Sequence, residues 1–128
     1  MKNNKIMNNM IEGGCFCGTI RYIFEDNDYP SANCHCSICR RISGAAFVSW
    51  LAIPLPFFKY TIGDPKKLVS SSYGIRYFCE VCGTPLSCIL KEDQKNIFIT
   101  ICSLDNPQNF QPKDDIYKED MLDWVGKY

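Results

Sequence analysis

Seven cysteines fall into three short groups, and their spacing constrains this chain more than any other feature. The densest group places three thiols within six residues, at Cys34, Cys36 and Cys39. A thiolate holds zinc at about 2.3 Å, so this loop can wrap three sulfurs onto one ion and leave a fourth position open. The other two groups are pairs, and together they supply the four sulfurs of a closed tetrahedron: Cys15, Cys17, Cys79 and Cys82. We therefore predict two zinc ions per chain, one sealed and one open.

The cysteine count also bears on the compartment. A secreted disulfide scaffold usually has an even number of cysteines and an export signal. Here nine cysteines make an odd count, and residues 1–10 are rich in Lys and Asn, with no apolar segment. We expect zinc-bound thiols in a reducing cytoplasm. Iron in an all-thiolate site and unmetallated free thiols are the alternatives.

The charge balance argues against two classes of partner. Fourteen Lys and Arg residues offset fourteen Asp and Glu residues, and there is no long basic run. The electrostatic signature of a protein that binds nucleic acid or anionic membrane is therefore missing. A membrane span needs about 20 apolar residues, and Lys59, Asp64 and Arg76 interrupt the most hydrophobic part of the chain. We expect a soluble protein with neither partner. Its oligomeric state is not indicated.

Short alternating segments with almost no helical periodicity predict an all-β fold. From Gly13 to Phe24 the chain looks extended, with Ile20, Tyr22 and Phe24 on one side and two cysteines at its start. Further strands are expected at 47–53 (buried on both sides), 57–62, 68–73, 75–79, 86–90, 97–104 and 116–117. The segments 57–62 and 68–73 predict a hairpin or two successive strands, and 86–90 should pair with 97–104.

The domain organisation is simple. Residues 1–11 read as a frayed or disordered tail, and residues 12–128 as a single domain of short antiparallel sheets pinned by zinc knuckles. Residues 40–44 predict a short helical turn that ends at Gly44. Residues 105–114 predict an irregular loop, and 118–128 a short helix or a tail on the core.

The identity of the fourth ligand decides what the three-cysteine site can do. Cys88 or Cys102 could complete a second sealed site, but both lie in apolar segments, and we favour burial for each as a small hydrophobe. An open three-sulfur zinc is a weak Lewis acid. It can still lower the pKa of an incoming thiol and hold it as thiolate, so the site suits thiol chemistry.

Two other side chains beside this group need an interpretation. His35 is the single histidine, and either it moves a proton for the substrate or its ring points away from the metal toward a backbone carbonyl. Alternation along the chain favours the second interpretation. Arg40 and Arg41 either offset the anionic cluster or, in the case of Arg40, grip a substrate carboxylate.

These residues resemble a known family. The matching segments are Gly14-Cys15-Phe16-Cys17-Gly18, Cys34-His35-Cys36-Ser37-Ile38-Cys39-Arg40 and Phe78-Cys79-Glu80-Val81-Cys82-Gly83-Thr84. They are similar to those of the glutathione-dependent formaldehyde-activating enzyme family, which includes centromere protein V. The likeness spans roughly residues 13–104, and Leu104-Asp105 with Phe110 and Pro112 resembles the family's tail. One departure is Asp115, where the family often carries a histidine.

The resemblance implies an all-β fold similar to that of Rab-binding nucleotide-release chaperones. It also implies a structural zinc on the two cysteine pairs and a catalytic-type zinc on Cys34, Cys36 and Cys39. The implied reaction joins glutathione to formaldehyde to give S-hydroxymethylglutathione, a carbon–sulfur lyase reaction run in reverse. The substrate sulfur would then occupy the open zinc position.

Two functions therefore remain. The first is a zinc enzyme that acts on glutathione or another small thiol and an aldehyde. The second is a non-enzymatic, zinc-stapled β module that binds a protein partner. The second would have a sealed second zinc and an exposed apolar patch near Trp124.

Overall fold

The computed structural model describes residues 9–71 and 73–128. In these ranges the main elements are one α-helix, α1 (Ser37–Ser43), and ten strands. The strands are β1 (Met10–Gly14), β2 (Arg21–Glu25), β3 (Ser31–Cys34), β4 (Val48–Pro54), β5 (Phe58–Ile62), β6 (Lys66–Ser71), β7 (Gly74–Phe78), β8 (Pro85–Leu90), β9 (Asp93–Thr100) and β10 (Asp115–Ile116). The prediction of an all-β fold is confirmed.

The strands form two sheets. A three-stranded sheet has the order β1-β2-β5, and a seven-stranded sheet has the order β10-β3-β4-β9-β8-β7-β6. The pairs are antiparallel except that the short β10 runs parallel to β3. A bridge between Gly13 and Leu104 links β1 to the segment after β9. As predicted, β8 and β9 form a hairpin.

The main core lies between the two sheets, because alternation sends one side of each strand inward. On the seven-stranded sheet, Leu51 pairs with Ile99 and Ile53 with Ile97, and each is at most 3% exposed. They belong to the same buried cluster as the aromatic side chains of β2. Each fully buried side chain of this size contributes about 1.5–3 kcal/mol, so this cluster is the main apolar contribution to folding.

Strand periodicity predicted which side chains enter the core. Ile20, Tyr22 and Phe24 are all at most 5% exposed, as their period of two indicated. The prediction that 47–53 is buried on both sides is also confirmed, since Trp50 and its neighbour Leu51 are both buried. The two belong to different apolar clusters.

The start of the chain differs from its prediction in two respects. Cys15 and Cys17 lie in the loop between β1 and β2, not at the start of a strand, because the chain reverses there: the Cys15 N–H bonds to the Ile20 carbonyl. Met10 and Ile11 belong to β1, so the strand begins inside the predicted tail. The rest of that predicted tail, residues 1–8, lies outside the described residues. The single domain over 12–128 stays a prediction.

The segments 57–62 and 68–73 form successive strands, not a hairpin. β5 pairs with β2 in the smaller sheet, and β6 pairs with β7 in the larger one. Gly63 makes this change of sheet sterically possible. Its φ is +72°, and a Cβ there would lie 2.3 Å from the Thr19 carbonyl oxygen.

Helix α1 begins earlier than predicted and ends at the predicted residue. Cys36 is its N-cap, and the Cys36 Sγ accepts a hydrogen bond from the Cys39 N–H at 3.3 Å. Gly44 caps the other end with φ of 71° and an N–H bond to the Arg40 carbonyl. A thiol therefore takes the capping role that a hydroxyl or carboxylate usually has.

The C-terminal segment follows the edge of the seven-stranded sheet. After β10 it makes a 3-10 turn at Lys118–Asp120 and further turns to its end, with no α-helix among these described residues. Trp124 is 56% exposed. No helix in the part of the chain that the structure describes is long and apolar enough to cross a bilayer.

The close approach at Gly63 gives a first prediction. Gly63→Ala should lower the free energy of unfolding by about 3 kcal/mol, because positive φ costs about 1–2 kcal/mol for an L residue and the clash with Thr19 adds to it. Gly44→Ala is the matched control, since Gly44 has φ of 71° and open space around it. The control should lose about 1 kcal/mol. Urea unfolding of both zinc-loaded variants measures the difference, and equal losses would contradict the steric explanation.

Candidate metal centres and cavity

The four paired cysteines come together across the fold. Cys15 and Cys17 lie in the β1–β2 loop, Cys79 and Cys82 in the β7–β8 loop, and their four Sγ atoms lie within 4.8 Å of one another. The Sγ separations are 3.6 Å between Cys15 and Cys17 and 3.7 Å between Cys17 and Cys79. A zinc tetrahedron with bonds of about 2.3 Å has edges of about 3.8 Å, so these sulfurs fit the ion. We call this set the quartet.

Hydrogen-bond donors surround the quartet. The Thr19 Oγ1 lies 3.0 Å from the Cys17 Sγ and 3.4 Å from the Cys79 Sγ. Burial opposes ionisation of Cys15, but the Ile20 N–H and the Thr19 hydroxyl lower the pKa of that thiol to about 7. The Thr84 hydroxyl and N–H lower the pKa of Cys82 to about 5. Such donors stabilise thiolates and so prepare the loops for a cation.

The three clustered cysteines form a second set, which we call the trio. Cys34 ends β3, Cys36 caps α1 and Cys39 lies in the first turn of α1. Their Sγ atoms also lie within 4.8 Å of one another, and the Cys34 and Cys39 sulfurs are 3.4 Å apart. Three sulfurs facing one point fit one face of a zinc tetrahedron. Both cysteine clusters are thus compatible with zinc.

An arginine that is distant in sequence reaches the trio. The Arg76 Nη2 of β7 donates to the Cys39 Sγ at 3.4 Å, and its guanidinium lies 5.7 Å from the centre of the Trp50 ring. The hydrogen bond with the Cys34 thiol and the Arg76 charge together lower the pKa of Cys39 to about 5 against the effect of burial. Arg76 therefore supplies positive charge on the open side of the trio.

The trio opens into a cavity of about 580 Å³. One wall is the face of the seven-stranded sheet that points away from the core. There the register places Arg76 opposite Cys88, Cys88 opposite Phe98, and Phe98 opposite Ala52, and all four line the cavity. All three trio cysteines line it, whereas no quartet cysteine is among its described lining residues.

The sequence matches the glutathione-dependent formaldehyde-activating enzyme family over residues 10–120. The chain belongs to this family. A relative from Halomonas elongata, described as a putative glutathione-dependent formaldehyde-activating enzyme, is 42% identical over 94 residues. The match covers 60% of this chain and 54% of the relative, so the chain spans about half of that protein's length.

A crystal structure of a Rhodobacter sphaeroides protein has the same fold. It superimposes with a TM-score of 0.63 at 18% identity, covering 82% of this chain and 99% of that one. At this identity the likeness shows the fold alone. The family resemblance and the all-β fold expected from it are confirmed.

His35 is buried and makes contacts that the family's sequence pattern did not predict. The ring is 1% exposed and packs against Phe47, with ring centres 5.0 Å apart. Its Nε2 lies 2.9 Å from the Asp115 Oδ1, so its partner is a carboxylate and not the predicted backbone carbonyl. Hydrogen bonds from His35 and Asn33 lower the pKa of Asp115. His35 thus fastens β10 beside the trio and is not among the described residues that line the cavity.

The other predicted site residues, Arg40, Cys88 and Cys102, lie in three different places relative to the trio and the cavity. The Arg40 Nη1 donates to the Asp120 carbonyl at 3.4 Å, and Arg40 is outside the described cavity lining. Cys88 is buried, as expected, and lines the cavity without belonging to the group of three sulfurs. Burial of Cys102 was a wrong prediction, because the 3-10 helix Ile101–Ser103 turns this side chain outward.

Family membership did not indicate Arg76 or Trp50, which sequence reasoning missed as site residues. Arg76 was noted only as a charge that interrupts an apolar stretch. Its place in the site depends on the pairing of β7 with β8 and of β4 with β9, which no local pattern reveals.

The hydroxyl of Thr19 gives a second prediction. Thr19→Val should weaken zinc binding at the quartet about 10- to 100-fold, because it removes the donor that contacts the sulfurs and leaves a similar volume. Thr19→Ser is the control and should bind zinc as the wild type does, since it keeps the hydroxyl. Competition with a chromophoric chelator, with Cys36→Ser present in every variant so that only the quartet keeps all its sulfurs, measures the zinc affinity of the quartet. Unchanged affinity in Thr19→Val would show that the hydroxyl contributes nothing.

Proposed function

We propose that this chain is a zinc-dependent enzyme of the carbon–sulfur lyase class that joins glutathione, or another small thiol, to formaldehyde or a related aldehyde. The observation that carries the proposal is the placement of the trio: its three sulfurs face a cavity of about 580 Å³, large enough for a small molecule. The family and its Halomonas relative are named for this activity. We place the protein in the cytoplasm, since none of the nine cysteines, all of them described, forms a disulfide and seven of them lie in the two clusters.

The reaction needs no oxidant or reductant. The substrate sulfur forms a bond to the carbonyl carbon, the electron pair of the C=O π bond moves to oxygen, and that oxygen takes up the proton that the thiol gave up. The product is a hemithioacetal. Zinc held by Cys34, Cys36 and Cys39 would supply a position at which the thiol is bound as thiolate.

The chain's own residues support this proposal in three ways. Arg76 offsets the negative charge of the trio through Cys39. The sheet face with Trp50 and Phe98 gives the cavity beside the trio an apolar wall. The quartet serves as a structural zinc site, because it ties the β1–β2 loop to the β7–β8 loop and takes no part in the described cavity wall. The proposal thus has two zinc ions per chain.

The alternative is a non-enzymatic β module that binds a protein partner. It predicted an exposed apolar patch near Trp124, and Trp124 is indeed 56% exposed. It also predicted a sealed trio, yet neither Cys88 nor Cys102 joins the three sulfurs in the part of the chain that is described. The open trio favours the enzyme.

Substitution of one cysteine in each cluster tests the proposal. Cys36→Ser should lose about one zinc equivalent and saturable glutathione binding while it stays folded, because the quartet is intact. Cys82→Ser should lose cooperative unfolding, because the two loops are no longer joined and removal of a structural zinc removes folding free energy. Elemental analysis, calorimetric titration with glutathione and circular dichroism give the three readouts. Global unfolding of Cys36→Ser, or its unchanged glutathione binding, would refute the open site.

A further inference from the structure

The cavity wall beyond the trio is mainly apolar. The sheet contributes Trp50, Leu90 and Phe98, and the C-terminal segment contributes Ile116 and Tyr117. Burying the apolar surface of a ligand against such side chains is favourable. A carboxylate placed there loses its hydration and gains few hydrogen bonds in return.

The charges on the wall also disfavour an anionic ligand. Arg76 is the one cation among the described lining residues, and its guanidinium is engaged by the Cys39 Sγ and the face of Trp50. Two acidic residues, Asp114 and Asp120, belong to the same lining, and the Asp114 Oδ1 accepts a hydrogen bond from the Asp115 N–H. The cations Arg40, Lys113 and Lys118 lie outside that lining, and the Arg40 Nη1 donates to the Asp120 carbonyl. A substrate carboxylate in this cavity would meet two acidic residues. The arginine that could pair with it already contacts the Cys39 Sγ and the Trp50 ring.

We propose that the thiol substrate of this chain has an apolar, uncharged body, and that glutathione binds less tightly than such a thiol. The inference rests on the proposed function and narrows its substrate class. Glutathione carries two carboxylates, and each would face this apolar and partly acidic wall. A thiol whose body is a ring or an alkyl chain can instead lie against Trp50, Phe98 and Tyr117 while its sulfur reaches the trio.

The backbone at Tyr117 supports this role for the C-terminal segment. Tyr117 has φ of 56° and ψ of 45°, and among the described residues no other non-glycine side chain has a positive φ. An L residue pays a steric cost there, and such costs concentrate where a side chain serves a site. The ring is 55% exposed, so burial in the core does not offset the cost. Tyr117 lines the cavity, so contact between its ring and a bound thiol would offset the cost instead.

A matched pair of ligands tests the proposal on the zinc-loaded protein. Phenylmethanethiol and para-(mercaptomethyl)benzoic acid share the thiol and the ring and differ in one carboxylate. Calorimetric titration should show phenylmethanethiol binding at least tenfold more tightly than the acid and more tightly than glutathione. Equal or tighter binding of either anionic thiol would overturn the inference and leave the proposed function standing. If no thiol binds, the proposed function itself fails, and the inference fails with it.

Substitutions test whether the acidic residues of the cavity wall cause the preference for the uncharged thiol. The double variant Asp114→Asn, Asp120→Asn should reduce the preference for phenylmethanethiol over the acid at least threefold, because two negative charges are removed. Asp123→Asn is the control, since Asp123 is exposed and lies outside the cavity lining. It should leave the preference unchanged. A preference that the double variant keeps in full would overturn the assignment of these carboxylates.

Tyr117→Gly separates a ligand contact from a structural role. Glycine accepts positive φ without strain, so the unfolding midpoint should stay the same or rise. Affinity for phenylmethanethiol should fall at least threefold because the ring is lost. Unchanged affinity would overturn the role of Tyr117.

Discussion

The structure depends on one electrostatic constraint, which is that thiolates held within 4.8 Å of one another repel unless positive charge lies between or beside them. At the quartet the constraint applies to two loops that bury only part of their side chains. Phe16 and Val81, between the paired cysteines, are 93% and 71% exposed, whereas Cys15 and Cys79 belong to the main core cluster. Sulfur, hydroxyl and amide contacts also hold the loops, with the Phe16 N–H on the Thr84 Oγ1 at 3.0 Å. A cation that satisfies four thiolates would therefore fix the loop conformation itself.

The same ligand chemistry leads to a different result at the trio because of what surrounds it. The trio lies at the junction of β3 and α1, and a short helix, not a second knuckle, presents its third sulfur. Arg76 provides the neighbouring positive charge, and the sheet face beside it is apolar. The number of sulfurs decides whether a fourth position is open, and the wall decides what can enter it. This division is consistent with the proposal that a chain of 128 residues holds one structural and one open metal site, both built from cysteines.

Sequence reasoning succeeded where contacts are local or periodic. The spacing of the cysteines in three short groups predicted both clusters, and strand alternation predicted the burial of Tyr22 and Phe24. It failed where the outcome depends on pairing between distant strands. The division of β5 and β6 between two sheets and the approach of Arg76 to Cys39 both depend on tertiary register. Arg40 was chosen because it adjoins the trio in sequence, yet its guanidinium binds the Asp120 carbonyl.

The register that builds the core also builds the cavity. In β4 and β9, Leu51 and Ile99 point toward the smaller sheet, so their neighbours Trp50 and Phe98 must point to the opposite face. A shift of one residue in either strand would exchange the two sets and place the larger ring systems in the core. Burial of the aliphatic residues therefore holds the aromatic wall in position beside the trio. The burial that stabilises the sheet and the aromatic wall of the cavity are thus consequences of the same alternation.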